Sequence, residues 1–189
     1  MTVLGISGTP RKNGNSEGLL NAALEPFARA GWDVVRILLS EKTVAMCTGC
    51  ECCGEGQACV VDDDMREIYA AYERCDAIVI AAPAYWRNVP AQLKAVFDRS
   101  FAVREQKPLR GKLGGAIAVG RGQSGGQAIV LNVIHNFYLS CGALCVPGEL
   151  NGVTAVADKP GEILAQPKRL AQARTLGENM IGCARATHG

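Results

Sequence analysis

Short, uninterrupted apolar runs alternate along the chain with stretches whose apolar residues recur every three or four positions. The runs are residues 3–6, 34–39, 77–82, 114–120 and 143–146. Run 77–82 (AIVIAA) carries no polar residue, as a strand covered on both faces requires. Between the runs, Leu19, Leu20, Ala23, Leu24 and Phe27 share one helical face. So do Leu93, Val96 and Phe97, then Ile129, Val130, Val133, Ile134 and Phe137, and finally Leu170, Ala173, Leu176, Met180 and Ile181. Asp64 and Glu67 have the spacing of a capping box and open a further helix through Tyr72. Pro26 is expected to end or kink the first helix early. Five strand–helix units predict an α/β chain with a doubly wound, five-stranded parallel sheet in the order 2-1-3-4-5. Its ligand crevice is expected at the carboxyl ends of strands 1, 3 and 4. Residues 148–165 read as a longer Gly/Pro-containing loop that covers something or meets a partner subunit. No linker or repeat interrupts residues 1–189, which are read as one domain.

Charge and composition narrow the function classes. Twenty Lys plus Arg against eighteen Asp plus Glu leave a net charge of +2, too little for phosphate neutralisation along a nucleic acid. No apolar run approaches the ~18 residues of a membrane span. Met1 leads directly into the first strand with no basic, cleavable leader, so a secreted precursor is not expected. Nine cysteines is an odd number, and five of them (Cys47, Cys50, Cys52, Cys53, Cys59) fall within thirteen residues. Small secreted disulfide scaffolds are shorter and poorer in core residues, so a reducing cytoplasm is the expected compartment.

Three loops meet at the predicted crevice. The first, Ser7-Gly8-Thr9-Pro10-Arg11-Lys12-Asn13-Gly14-Asn15-Ser16, runs from a strand into a helix start, where amides and the helix dipole favour a phosphate. It lacks Gly-Lys-Ser/Thr, which disfavours nucleoside triphosphate hydrolysis. A plain polar turn with Ser16 as N-cap is the competing reading. The second, Pro83-Ala84-Tyr85-Trp86-Arg87-Asn88-Val89-Pro90, offers two adjacent aromatics for a planar ring, against the rival role of capping the core. The third, residues 120–126, contains G-x-G-x-x-G (Gly120, Gly122, Gly125), but after strand 4, not strand 1. It therefore reads as backbone passing close to a flat heterocycle, with Arg121 available for a negative group or ring edge. One phosphate cradle and two loops around a flat ring describe a mononucleotide site, and FMN fits it. Ser7, Thr9, Pro10, Arg11, Asn13, Asn15, Ser16, Pro83, Ala84, Tyr85, Trp86, Asn88, Gly120, Arg121, Gly122 and Gly125 are the expected cofactor-binding residues.

Within residues 44–62, Cys47-x2-Cys50-x2-Cys53-x5-Cys59 lets three thiolates converge on an iron–sulfur cube from one tight turn, with the fourth arriving from a longer loop. A [4Fe-4S] cluster, zinc, or thiols without metal all remain open, although zinc sites usually pair two C-x2-C knuckles across a longer spacer. Gly49, Gly54 and Gly56 are expected to bend the backbone around the sulfurs. Cys52 should point away, and Cys75, Cys141, Cys145 and Cys183 read as core cysteines. His135 and His188, the latter in an expected frayed tail, are not placed for catalysis; no catalytic acid or base is expected. The acidic run Asp62-Asp63-Asp64 reads as a helix N-terminal cap.

These pieces, with Met65, Lys94, Asp98 and Arg99, resemble the iron–sulfur flavoprotein family, a branch of the NAD(P)H-dependent FMN reductases with a flavodoxin-like fold. The likeness covers roughly residues 2–126. It implies FMN in the three loops and a [4Fe-4S] cluster on the four named cysteines. It also implies a homo-oligomer, dimer or tetramer, in which a cluster can lie near a neighbouring subunit's flavin. The chain departs from the pattern at Gln127-Ala128, where relatives often carry an acidic residue. The implied activity is electron transfer from a small-molecule or protein donor to a small acceptor of the oxygen, peroxide or quinone type. The alternative is an NAD(P)H-dependent FMN or quinone reductase without a cluster.

Overall fold

The computed structural model describes residues 1–55 and 57–188, without the side chains of residues 55, 187 and 188. Strands β1 (Thr2–Ser7), β2 (Asp33–Leu38), β3 (Ala77–Pro83) and β4 (Leu113–Gly120) pair in parallel in the order β2-β1-β3-β4. The apolar runs become strands because their residues are buried on both sides: every residue of β4 and all but the last of β3 are buried. Alternate side chains separate into two cores. Leu4, Ile6, Ile78, Ile80, Ala116 and Ala118 face α2 (Met65–Arg74), α3 (Ala91–Arg99) and α4 (Gln127–Ser140). Val3, Val79, Ala81, Ile117 and Val119 face α1 (Asn15–Arg29) and α5 (Pro167–His188). Helices thus cover both faces, and the sheet order is the one expected.

The outer edge of β4 differs from the expectation of one fifth strand at 143–146. β5 (Leu144–Cys145) pairs only with Leu113 and Gly114. The chain then leaves the sheet and returns as β6 (Val153–Val156) beside Ile117–Gly120, making six strands in all. Pro147 lacks the N–H that a continuing ladder needs, which divides the edge in two. Residues 148–165 therefore hold a strand and a short 3-10 turn (Glu162–Ala165) where a plain loop was expected.

Four local expectations are corrected. Pro26 does not stop α1, which closes one turn later when the Ala30 amide bonds the Pro26 carbonyl. Near it, α1 and α5 cross so closely that a Cβ on Gly177 would stand 2.3 Å from the Ala23 carbonyl. The Asp64–Glu67 capping box does not form. Asp64 accepts from the Thr43 amide (2.6 Å), Glu67 pairs with Lys42, and the Met65 amide is capped by Asp63 (3.0 Å). Of the four supposed core cysteines, Cys75 is buried and Cys141 half-buried, but Cys145 and Cys183 are exposed. An edge strand leaves Cys145 uncovered, and Cys183 sits on the outer side of α5. α5 continues to His188, where a frayed tail was expected. Among the described residues, no helix is long and apolar enough to cross a membrane.

Candidate functional site

A cavity of about 630 Å³ opens at the carboxyl edge of the sheet, within the usual size of a cofactor site. Its walls are Thr9, Arg11, Gly14, Asn15 and Ser16 from the first loop, Pro83–Trp86 from the second, and Gly120 with Arg121 from the third. The topology explains the meeting, since parallel strands deliver all three loops to one edge. Another cavity, about 620 Å³, lies at the opposite edge, lined by Phe97, Phe101, Leu109, Phe137 and Leu139. Strand carboxyl ends do not reach it.

The first loop is built for an anion. α1 starts at Asn15 after Gly14, with no side-chain cap on its first turn, so its leading amides face the cavity mouth without intrahelical partners. Ser16 is the second residue of the helix and buried, which removes its rival role as N-cap. Arg11 lines the cavity, and its amide bonds the Thr9 hydroxyl oxygen (3.2 Å). At the end of β1, Ser7 is buried with a hydroxyl that has no protein partner. Asn15 plays a different part from the one expected. Its amide donates to the Lys159 carbonyl (2.9 Å) and its oxygen accepts from the Ile163 amide (3.1 Å), tying α1 to the segment after β6. Ser7, Pro10 and Asn13 stand outside the cavity lining, although Asn13 makes the turn, with φ 55°.

In the second loop, Tyr85 and Asn88 exchange backbone hydrogen bonds around a turn with Trp86 and Arg87 at φ 48° and 63°. Positive φ at both central positions is the type I′ geometry that glycine or asparagine normally fills. Trp86 and Arg87 hold it at a cost of about 1–3 kcal/mol each, the kind of strain that collects at functional sites. Trp86 is 100% exposed and Tyr85 40%, so neither caps the core. Asn88 accepts from the Val89 amide and shapes the turn from outside the cavity.

The third loop is pinned to the second. Arg87 donates to the Ser124 carbonyl (3.1 Å), and at Gly126, with φ 94°, a Cβ would stand 2.6 Å from the Arg87 Cα. Only glycine fits there. Gly122 and Gly125 close a turn on each other (3.0 Å) away from the cavity, so only Gly120 and Arg121 of this loop reach it. Gln127, the departure from the family pattern, is buried and donates to the Gly122 carbonyl (2.9 Å), a bond no carboxylate could make. Arg121 is not held ready for a ligand: it forms a two-pronged pair with Asp158 (2.6 and 3.2 Å). That hydrogen bond holds the Asp158 carboxyl below its ordinary value.

Seven lining residues escaped the sequence reading: Gly14, Val89, Ala91, Val119, Ala157, Asp158 and Pro160. Gly14 and Val89 lie within predicted loops without having been read as binding residues, Ala91 follows the second loop, and Val119 is the penultimate residue of a predicted strand. Ala157, Asp158 and Pro160 arrive after β6, inside the 148–165 stretch that was expected to cover something or meet a partner subunit, although none of them was singled out.

The cysteine segment lies apart from the cavity, at the other end of α3. It begins extended, reverses through Gly49 (φ 67°) and Glu51 (φ 60°), and enters a 3-10 turn at Cys52–Glu55. Gly49 bends the chain as expected. The Gly54 amide donates to the Glu51 carbonyl, and Gly56 lies outside the described residues. Cys47 and Cys50 are exposed, Cys53 and Cys59 half-buried, and none of the nine cysteines is in a disulfide. Among the described residues, no three His, Cys, Asp or Glu side chains are gathered closely enough to hold a metal ion. The donor chemistry nevertheless fits a sulfur-ligated centre. Hydrogen bonds from the Cys52 backbone and then from Thr48 hold the Cys50 thiol below its ordinary value, favouring thiolate. Cys52 does not point away as expected: its sulfur lies 3.7 Å from the Cys50 carbonyl, and its side chain also hydrogen-bonds the Cys50 thiol.

His135 is half-buried on α4, where burial holds it below its ordinary value, and it lines neither cavity. The side chain of His188 lies outside the described residues.

A family model described as NADPH-dependent FMN reductase matches residues 1–156. The chain is 39% identical over 163 residues to an iron–sulfur flavoprotein of Methanosarcina thermophila, covering 86% of this chain and 85% of that one. It is 38% identical over 184 residues to one of Methanocaldococcus jannaschii, covering 95% of each. Its fold matches the crystal structure of a flavodoxin, WrbA-like protein from Agrobacterium tumefaciens with a TM-score of 0.70. That match has 17% identity and covers 98% of this chain and 97% of that one. The fold is thus flavodoxin-like, with the cysteine-rich insertion after β2. The chain belongs to the iron–sulfur flavoproteins within the NADPH-dependent FMN reductase family and is an FMN-dependent oxidoreductase.

Proposed function

We propose that this chain passes electrons between a [4Fe-4S] cluster on Cys47, Cys50, Cys53 and Cys59, FMN in the carboxyl-edge cavity, and a small acceptor of the oxygen, peroxide or quinone type. The observation that carries this reading is the pairing of two features on one short helix. Ala91 at the start of α3 lines the cavity, and Arg99 at its end touches the sulfur of Cys59. Nine residues at 1.5 Å each make α3 a strut of about 13 Å between the two centres. FMN exchanges one or two electrons and an iron–sulfur centre one, so together they join a two-electron couple to a one-electron couple.

The chain's own residues bind, orient and exclude water. The leading amides of α1, Arg11 and the hydroxyls of Thr9 and Ser16 suit the terminal phosphate. Pro83, Ala84, Tyr85 and Trp86 suit one side of the ring, with Gly120 and Arg121 on the other. Val89, Val119 and Ala157 add apolar wall. Among the described residues no histidine lines the cavity, and its lining carboxylate, Asp158, is already paired. These residues therefore hold a cofactor and leave proton transfer to solvent. We place the chain in a cytoplasm as a homo-oligomer, dimer or tetramer, fed by a small-molecule or protein donor. Fully exposed Trp86 at the cavity rim suits a neighbouring copy.

Anaerobic reductive titration of the isolated chain tests the proposal by counting electrons. Uptake of about three per subunit is expected, two to flavin and one to the cluster. Uptake of about two, with rapid bleaching by NADPH, would establish the alternative reductase without a cluster.

A further inference from the structure

Arg99 lies at helical spacing from Leu93 and Val96, the core-facing residues of α3, and its side chain is carried inward with them. Only 2% of it is exposed. A guanidinium is rarely buried this far unless it is paired. Its partners all belong to the two flanks of the cysteine segment. Nη1 donates to the Asp63 carboxylate and to the Ala45 carbonyl (3.2 Å), and Nη2 to the Val61 carbonyl (3.1 Å) and the Cys59 sulfur (3.7 Å). The same Asp63 carboxylate accepts from the Ala45 amide (2.8 Å), and Thr43 and Asp64 bond each other one step further out. Residues 46–60 thus leave and re-enter the fold through a neck, and Arg99 fills it. Tyr69 fixes the arginine's backbone by donating to its carbonyl (2.7 Å), while Arg104 holds the carbonyls of Cys53 (3.2 Å) and Gly54 (3.1 Å) from the same side. One donor of Arg99, Nε, is buried without a partner. The neck therefore offers more positive hydrogen-bonding capacity than Asp63 uses, and Nη2 directs part of it at Cys59.

We propose that Arg99 is the positioning residue of the cysteine segment, closing its neck and setting a fixed positive charge against the Cys59 sulfur. The inference rests on the cluster reading above for its redox consequence and on the neck alone for its structural one. A guanidinium is needed because four acceptors in different directions require its planar fork, which a lysine ammonium cannot reproduce. A positive charge beside a sulfur centre favours its more negative, reduced form, so its loss moves the midpoint potential downward.

The test compares FMN-loaded parent, Arg99→Gln and Arg99→Lys chains before and after anaerobic iron–sulfide reconstitution. FMN content reports the fold, and cleavage after Glu51 or Glu55 by a glutamyl endopeptidase reports the neck. Arg99→Gln is expected to keep FMN within twofold, to be cut at least tenfold faster, and to take up at least fivefold less iron. Whatever cluster it retains should titrate at a lower potential. Arg99→Lys, with charge but no fork, should be cut at an intermediate rate and keep a potential near the parent's. Cleavage of Arg99→Gln within twofold of the parent would overturn the positioning role. Faster cleavage with unchanged iron and potential would overturn its link to the sulfur centre. If the parent holds FMN but takes up no iron, the cluster reading fails while the cleavage ratio still decides the neck. Should Arg99→Gln not fold, the cleavage rate of Arg99→Lys decides in the same way.

Discussion

Cys53→Ala is expected to strip iron from the protein and leave FMN in place. A cubane held by four cysteines loses a corner ligand, and content should fall from about four irons per subunit to below about one. The polypeptide around the change has other supports. Arg104 holds the Cys53 and Gly54 carbonyls, and Arg99 with Asp63 closes the neck. The cavity stands at the far end of α3 and shares no lining residue with the segment. Cys52→Ala is the control. It stands outside the Cys47-x2-Cys50-x2-Cys53-x5-Cys59 spacing and gives the Cys50 thiol only a hydrogen bond, so its loss should leave iron unchanged. Iron and sulfide assays with an absorbance spectrum check both variants, and full iron in Cys53→Ala would refute the ligand assignment.

The second large effect is expected from Arg11→Ala combined with Ser16→Ala. A charge-assisted bond to phosphate contributes about 1.5–3 kcal/mol and a neutral hydroxyl bond about 1. Losing both should weaken FMN by about 3 kcal/mol, roughly 100-fold in Kd. The leading amides of α1 remain, so binding is reduced and not abolished. Riboflavin, which lacks the phosphate, separates this effect from damage to the ring site: its affinity should be the same for parent and variant. Fluorescence titration measures both ligands. An FMN affinity changed less than threefold, or an equal loss for riboflavin, would remove the first loop from the phosphate.

Legibility from sequence followed the strength of the local signal. Buried parallel strands are apolar on both faces, so β1, β3 and β4 were readable as runs, and the strand order followed from their alternation with helices. The first two loops were placed at the cavity for the same reason. The failures share another cause: long-range partners overrode local patterns. Asp64 and Glu67 have the spacing of a box, yet Thr43 and Lys42 claim them. Asn15 is chemically a good phosphate ligand, but Lys159 and Ile163, more than 140 positions away, occupy its side chain. Arg121 looks free until β6 brings Asp158 to it. β6 itself was hidden because four residues between glycines and prolines resemble a loop. Arg99 stood in the sequence only as a position of the family likeness, and the returning cysteine segment shows why it is buried.

Anaerobic purification followed by flavin, iron and sulfide assays on the same sample tests most directly that one subunit carries both redox groups. The account predicts about one FMN, about four irons and about four sulfides per subunit. Flavin with zinc or without iron, or iron without flavin, would contradict it.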